Sequence, residues 1–236
     1  MELDELHSVA SILKKGKSKM RKLVIGMALA STALASPALA RDDSWYVEGD
    51  AGVTKVEDAN FLAANQAPVK ADFKTGYDFG GIVGYDFGMF RLEAEASYRR
   101  AGLDQLTSAG QSLNRAGGLT GSASDLSFML NGLLDFGPDD GLQGFVGGGV
   151  GVGRAKYVAN TPAPLLNDSD TGFAWQALAG LRMPVSSNVD LGLKYRFFNQ
   201  DKVNLISSGG TALATKFRSH SQIGRASCRE RVYVLV

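Results

Sequence analysis

Residues 77–98 read YDFGGIVGYDFGMFRLEAEASY. On the first run Tyr77, Phe79, Val83, Tyr85 and Phe87 occupy odd positions, and on the second Phe90, Leu92, Ala94, Ala96 and Tyr98 occupy even ones, with only Gly88 and Met89 between. Apolar residues at period two on both sides of a two-residue break predict a β-hairpin with one apolar face. The opposite face carries Asp78 and Asp86, then Arg91, Glu93, Glu95 and Arg99. So many ionisable groups cannot enter a dry core without partners. The apolar face is therefore expected to look outward, into lipid. The second run, extended as RLEAEASYRRAGL, consists of good helix formers, and its assignment as strand rests on its neighbours.

Alternation alone does not say which face is inside, because a soluble sheet shows the same period with the sides exchanged. The amino terminus decides. Met20, Arg21 and Lys22 precede an apolar run over 23–35, followed by Pro37 and the small-residue site Ala38, Leu39, Ala40 before Arg41. This is the layout of a secretory signal peptide over 20–40, with Ala38 and Ala40 at the cleavage site and Arg41 opening the mature chain. The run falls short of the roughly 20 residues that a spanning helix needs. Residues 1–19, with Glu2, Asp4 and Glu5 before a lysine cluster, fit a signal peptide poorly and read as an upstream extension before a start at Met20.

At the other end, residues 223–232 read IGRASCRERV, which can be written in codons as ATCGGAAGAGCGTCGTGTAGGGAAAGAGTG and resembles read-through of a sequencing-library adapter. Three arginines and the single cysteine, Cys228, arrive there together. Residues 223–236 are accordingly expected to be a non-native tail, and a barrel whose last strand is half foreign is expected to close poorly, leaving an open edge. The whole chain has a formal net charge of +1, whereas residues 41–222 hold sixteen Lys plus Arg against twenty Asp plus Glu, a net of −4. A mildly acidic chain without basic runs interleaved with aromatics gives no sign of nucleic-acid binding. Without cysteine in 41–222, neither a disulfide framework nor a cysteine metal site is available.

Over 41–222 eight strands are expected, near 45–54, 77–87, 90–99, 125–136, 142–157, 172–183, 189–198 and from 212 onward. Most have the roughly 9 to 11 residues that a tilted strand needs to cross a bilayer. The connections alternate: 55–74, 100–124, 158–171 and 199–211 are long, while 88–89, 137–141 and 184–188 are short. Short periplasmic turns, long external loops and an even strand number define an outer-membrane barrel. The predicted fold is all-β, an eight-stranded antiparallel up-and-down transmembrane barrel.

Arginine on the lipid face near the midplane costs roughly 2 to 4 kcal/mol in such barrels. Arg91, Arg99, Arg182, Lys194 and Arg196 all fall on the non-apolar parity, with Glu48, Asp50, Asp78, Glu93, Glu95, Asp135 and Asp190 as expected partners. The lumen is thus read as a web of mutually satisfied charges. Outward aromatics cluster at strand ends. Trp45, Phe87, Phe90 and Phe136 are expected in a periplasmic girdle, and Tyr77, Tyr98, Phe173, Trp175 and Phe197 in an outer one.

The secretion signal, WYVEGDAG at 45–52, GYDFGGIVGYDFG at 76–88, SFMLNGLLDFG at 127–137, FVGGGVGVG at 145–153 and FAWQALAG at 173–180 together resemble the amino-terminal barrel of OmpA-type outer-membrane proteins of Gram-negative bacteria. The resemblance covers nearly all of 20–222. It implies an anchor with surface-exposed loops, contacts with outer-membrane lipids and lipopolysaccharide, assembly by the barrel-assembly machinery, and in many members a following peptidoglycan-binding domain. Nothing in this chain matches that second domain, and the pattern is lost after FRSHSQ at 217–222, where family members continue to a terminal aromatic.

Three features imitate catalytic or binding motifs. Gly147, Gly148, Gly149, Gly151 and Gly153 resemble a phosphate loop, but no helix follows. On one parity, Gly147, Gly149, Gly151 and Gly153 are expected to thin the lumen wall beside long charged side chains. Ser219, His220 and Ser221 suggest the hydrolase pair of a lipid-modifying barrel enzyme, yet adjacent strand residues point to opposite faces. Outside the leader only His220 remains, too few for a histidine metal site, and Asp168 and Asp170 read as solvated loop charges rather than ligands of a cation. The expectation is an envelope-anchoring barrel, not an enzyme, without cofactor or metal and without a nucleic-acid partner. The rival readings are a small passive porin-like channel, a lipid-modifying enzyme and a soluble lipocalin-like carrier.

Overall fold

The computed structural model describes residues 44–64, 67–138, 141–186 and 188–230. The signal-peptide reading, with Ala38, Ala40 and Arg41, and residues 231–236 lie outside the described residues. Eight long strands form the wall: β1 (Ser44–Val56), β4 (Thr75–Asp86), β5 (Phe90–Ser108), β7 (Thr120–Phe136), β8 (Gln143–Asn160), β9 (Pro164–Pro184), β10 (Val189–Ile206) and β11 (Ala212–Glu230). Three short strands, β2 (Ala59–Phe61), β3 (Val69–Phe73) and β6 (Gln111–Asn114), decorate one end. Every long strand pairs antiparallel with its neighbour in the chain, and β1 also pairs with β11, so the sheet closes into an up-and-down barrel. RLEAEASYRRAGL is strand throughout β5, because alternation with β4 and β7 on either side overrides helix propensity.

At one end the turns are tight. Between β4 and β5 the Phe87 amide donates to the Phe90 carbonyl at 2.8 Å, and Gly88, at φ 94°, donates its amide to Asp86 Oδ1 at 2.9 Å. That left-handed φ is open to glycine without steric cost. At the other end the expected long loops are mostly ladder. Only 161–163 separate β8 from β9, and 207–211 separate β10 from β11. An antiparallel hairpin can keep pairing with its own return strand beyond the bilayer, and there its outer face meets water, so the polar residues on that face make the sequence resemble a loop.

The open edge expected at the last strand is corrected by the structure. Residues 219–230 of β11 pair in register with β1, from Val56↔Ser219 to Trp45↔Glu230, and also with β10. The physical reason is parity: in IGRASCRE, Ile223, Arg225 and Ser227 turn inward, while Gly224, Ala226 and Cys228 turn outward, so the segment obeys the period that the wall demands.

Where β9 and β10 part above the Trp175↔Asn199 pair, β10 contains a register shift between Gln200 and Val203. Side chains replace the ladder there. Asp170 Oδ2 accepts from the Asn204 amide and Asp168 Oδ2 from the Ile206 amide, both at 2.7 Å. Asp168 and Asp170 are therefore strand residues that satisfy backbone donors, a correction to their reading as loop charges.

Candidate functional site

The outer surface between the two ends is apolar, with Val83, Leu130, Val150, Leu181 and Leu193 all exposed. Aromatic rings border it. At the turn end Trp45 meets Tyr85 edge-on at 5.2 Å, Tyr85 lies 4.5 Å from Phe87, Phe87 lies 6.2 Å from Phe90, and Phe136 is exposed nearby. Toward the hairpin end Tyr77 and Phe79 pack on Tyr98, Trp175 on Phe197 at 5.4 Å, and Phe173 stands exposed. The rings of Phe79 and Tyr85 join these clusters, although sequence reasoning treated them only as strand residues.

Inside, alternation places the charged side chains of different strands opposite one another. Near the turn end Arg91 donates to Asp135 at 2.6 and 2.9 Å, and Arg182 donates to Asp135 at 3.1 Å, to Asp86 at 3.4 Å and to Gln143 at 2.7 Å. Tyr46 donates its hydroxyl to Glu93 at 2.7 Å and accepts from Arg91. Arg225 pairs with Glu48, and Arg229 bridges Asp86 and Asp190 at 3.0 and 3.1 Å. Deeper in, Arg196 is fully buried and reaches Glu95 at 2.7 Å, Asp78 at 3.0 Å and Asp50 at 3.3 Å, while Lys194 holds Asp50. Glu95 also accepts from Asn131 and Gln176. Arg99 donates to Ser97 at 2.7 Å and to Ser127 at 3.0 Å, and lies 3.9 Å from both Asp78 and Asp125.

All twelve residues read as lumen charges thus meet within one network. Sequence reasoning placed Asp86 on the charged face without pairing it, and missed Tyr46, Asp125, Asn131, Gln143, Gln176, Arg225 and Arg229 as members. Their inward parity was the available signal. The glycines of β8 make room for this network. A Cβ at Gly149 would strike Asn131 Oδ1, one at Gly151 would meet Met129, and one at Gly153 would meet Asp125 and Gln200.

The inward face does not stay polar. The Arg99 guanidinium stacks 3.9 Å above the Phe198 ring, and beyond that contact the lumen is filled by Phe217, Tyr157, Phe73, Leu103, Phe61 and Leu166. An apolar plug at the hairpin end therefore caps the charge layer, so the web of charges read from the sequence fills only part of the lumen. Its cause lies in the same parity: on β5 the inward sequence runs Arg91, Glu93, Glu95, Ser97, Arg99 and then Ala101, Leu103.

Ser219 and Ser221 are buried inward, whereas His220 faces outward between Tyr195 and Glu57, at 2.6 and 2.8 Å. The serine–histidine pair is separated by the wall. Among the described residues no group of three or more His, Cys, Asp or Glu is arranged to hold a metal ion.

Comparison with known proteins agrees with this geometry. A family model described as outer membrane protein β-barrel domain matches residues 26–218. Outer membrane protein PagN of Salmonella typhimurium is 25% identical over 187 residues, which are 68% of this chain and 76% of PagN. Among solved structures, OprG of Pseudomonas aeruginosa superimposes with a TM-score of 0.57 at 11% identity, over 81% of this chain and 97% of OprG. The outer membrane protease OmpT of Escherichia coli does so with a TM-score of 0.51 at 7% identity, over 83% of this chain and all of OmpT. At such identities the two structures speak for the fold alone.

Proposed function

The chain belongs to the outer membrane protein β-barrel domain family, and from that premise we propose that it is a non-catalytic, OmpA-like anchor that presents its hairpin end at the cell surface and contributes to envelope integrity. The observation that carries this reading is the filled lumen. Two layers of ion pairs and an apolar plug occupy the interior, which suits a rigid post better than a conduit, and eight strands enclose only enough space for side chains. The outward aromatics Trp45, Phe87, Phe90 and Phe136 would sit at the periplasmic interface, and Tyr77, Tyr98, Phe173, Trp175 and Phe197 at the outer one. Export by a signal peptide over 20–40 and insertion by the barrel-assembly machinery belong to the same proposal, as does tethering to peptidoglycan in a form that carries a further domain.

Lipopolysaccharide is the partner that the outer surface suits. Just above the apolar band Arg100, Ser124 and Lys156 stand side by side across β5, β7 and β8, with Arg154 one pair below. All three cations are exposed and face outward, and in the proposed orientation they would meet lipid phosphates. Deletion of the gene should sensitise cells to detergent and chelator, with rescue by the intact chain. Normal envelope resistance in the deletion strain would overturn the anchoring role. A passive channel is the competing reading, because half of the lumen is polar. Stable conductance in planar bilayers, abolished by replacing Arg91 or Glu93, would establish it in place of the anchor.

A further inference from the structure

The hairpin end contains a cavity of about 250 Å³ at the top of the apolar plug. Four separate pieces of chain form it: the β2–β3 hairpin, the upper end of β5, the β8–β9 hairpin and the β10–β11 hairpin. Its floor is made of Phe61, Phe73, Leu103 and Tyr157, all buried. Tyr157 offers its ring rather than its hydroxyl, because that group donates to the Lys216 carbonyl at 2.9 Å. Leu166 and Leu213 form the sides, and Leu165, 41% exposed, stands at the rim.

We propose that this cavity is a binding site for a medium-length alkyl chain carrying a single polar head. Three observations argue for it. The volume exceeds the roughly 150 Å³ apolar cavity that accepts benzene and stays dry without a ligand, yet it is too small for a polypeptide segment. The backbone around the rim is already satisfied: the Ser207 amide donates to the Thr211 carbonyl at 2.9 Å, and the Ser208 amide to the Leu165 carbonyl at 3.0 Å. Carbon therefore dominates the wall, and water gains little by entering. The exceptions are Ser207 and Thr211, which line the cavity on one side; the Ser207 hydroxyl accepts the Thr211 amide at 3.0 Å and keeps its proton to donate to one polar group. Such a chain could arrive as a free amphiphile or as the acyl chain of a lipid. The site goes beyond the anchoring role and does not depend on it, since a barrel that never conducts can still hold a ligand at its surface end.

The test uses the full chain, labelled at Leu and Val methyl groups, in lipid nanodiscs titrated with 1-octanol. Saturable shifts are expected at Leu103, Leu166 and Leu213, with Val83 and Leu130 on the lipid face responding only by linear partitioning. L213W and, independently, L106W should fill the cavity and weaken binding by about tenfold for every two methylenes excluded, with heat-modifiable gel mobility reporting that each variant is folded. Native mass spectrometry of the purified protein distinguishes the sources. A lipid retained by the wild type and lost from L213W assigns the site to an acyl chain, and its absence together with octanol binding assigns it to a free amphiphile. Linear, equal shifts at cavity and lipid-facing methyls of the wild type would overturn the proposal whatever the variants do.

Discussion

Replacement of Arg196 by methionine tests whether the lumen is held together by ion pairs. The guanidinium is fully buried and serves Glu95, Asp78 and Asp50 at 2.7, 3.0 and 3.3 Å. Methionine fills much of the same volume without charge, so the cavity cost stays small and the loss is electrostatic. Removing one partner of a buried pair strands the other, at about 3–5 kcal/mol. Three carboxylates lose their common cation here; Asp50 keeps Lys194 and Asp78 keeps Arg99 at 3.9 Å, so Glu95 is the one left without a paired cation, which places R196M within that range. Unfolding by urea in short-chain phosphatidylcholine vesicles, followed by the fluorescence of Trp45 and Trp175, should show a midpoint lowered by roughly 1–3 M. Adding Glu95→Gln and Asp78→Asn should recover part of the loss, since neutral amides leave less charge uncompensated. A cost for R196M below about 1 kcal/mol would refute the reasoning, because the carboxylates would then have to be neutral or hydrated.

Leu130→Arg places a cation on the outer surface at a position 68% exposed, opposite Ala94 and Val150, and should cost about 2–4 kcal/mol in bilayers; an unchanged folding equilibrium would mean that this face does not meet lipid. Gly149→Val drives a side chain into Asn131 Oδ1 and should destabilise by about 1–3 kcal/mol, with a wild-type midpoint counting against the close approach. Asp168 has its carboxyl held below the usual range by the Ile206 and Ser169 amides. A depressed value stabilises above the unfolded carboxylate value near about 3.9 and is lost only as pH falls through the lower folded value. Amide exchange at Ile206 should therefore stay slow at pH 4 in the wild type and be fast at pH 7 in D168A; equal exchange in the two proteins at pH 7 would dismiss the stitch.

Strand parity carried most of the fold. A residue in a strand has only two faces to choose between, so placing arginines and apolar residues on opposite parities assigned the side of Arg91, Arg196 and Leu92 from sequence. Parity could not say how far a strand runs. β9 begins at Pro164, well before the expected 172, because NDSD at 167–170 in its hairpin extension is polar on both faces. The plug stayed hidden for a related reason: Phe61 and Phe73 lie in a stretch read as a loop, and Leu103 and Phe198 continue inward parities that were followed only as far as the charges. The charge network was partly legible because its founding members alternate with apolar residues, whereas Asn131 and Gln176 look like ordinary polar strand positions until Glu95 is seen between them.

The seam between β1 and β11 bears on how the barrel is made. Tyr46 pairs with Arg229 and Val56 with Ser219, contacts that join the two extremes of the wall, whereas every other long strand finds its partner next along the chain. Hairpins such as β4–β5 can zip early because little chain entropy opposes them, but the seam must wait for nearly the whole chain to be in place. Until then both terminal strands offer unpaired amides and carbonyls to any neighbouring strand. The last ladder to form is therefore the step at which assembly is slowest and a stray partner is most dangerous. A single weakened pair there should act on folding rate and yield before it acts on the stability of the finished barrel.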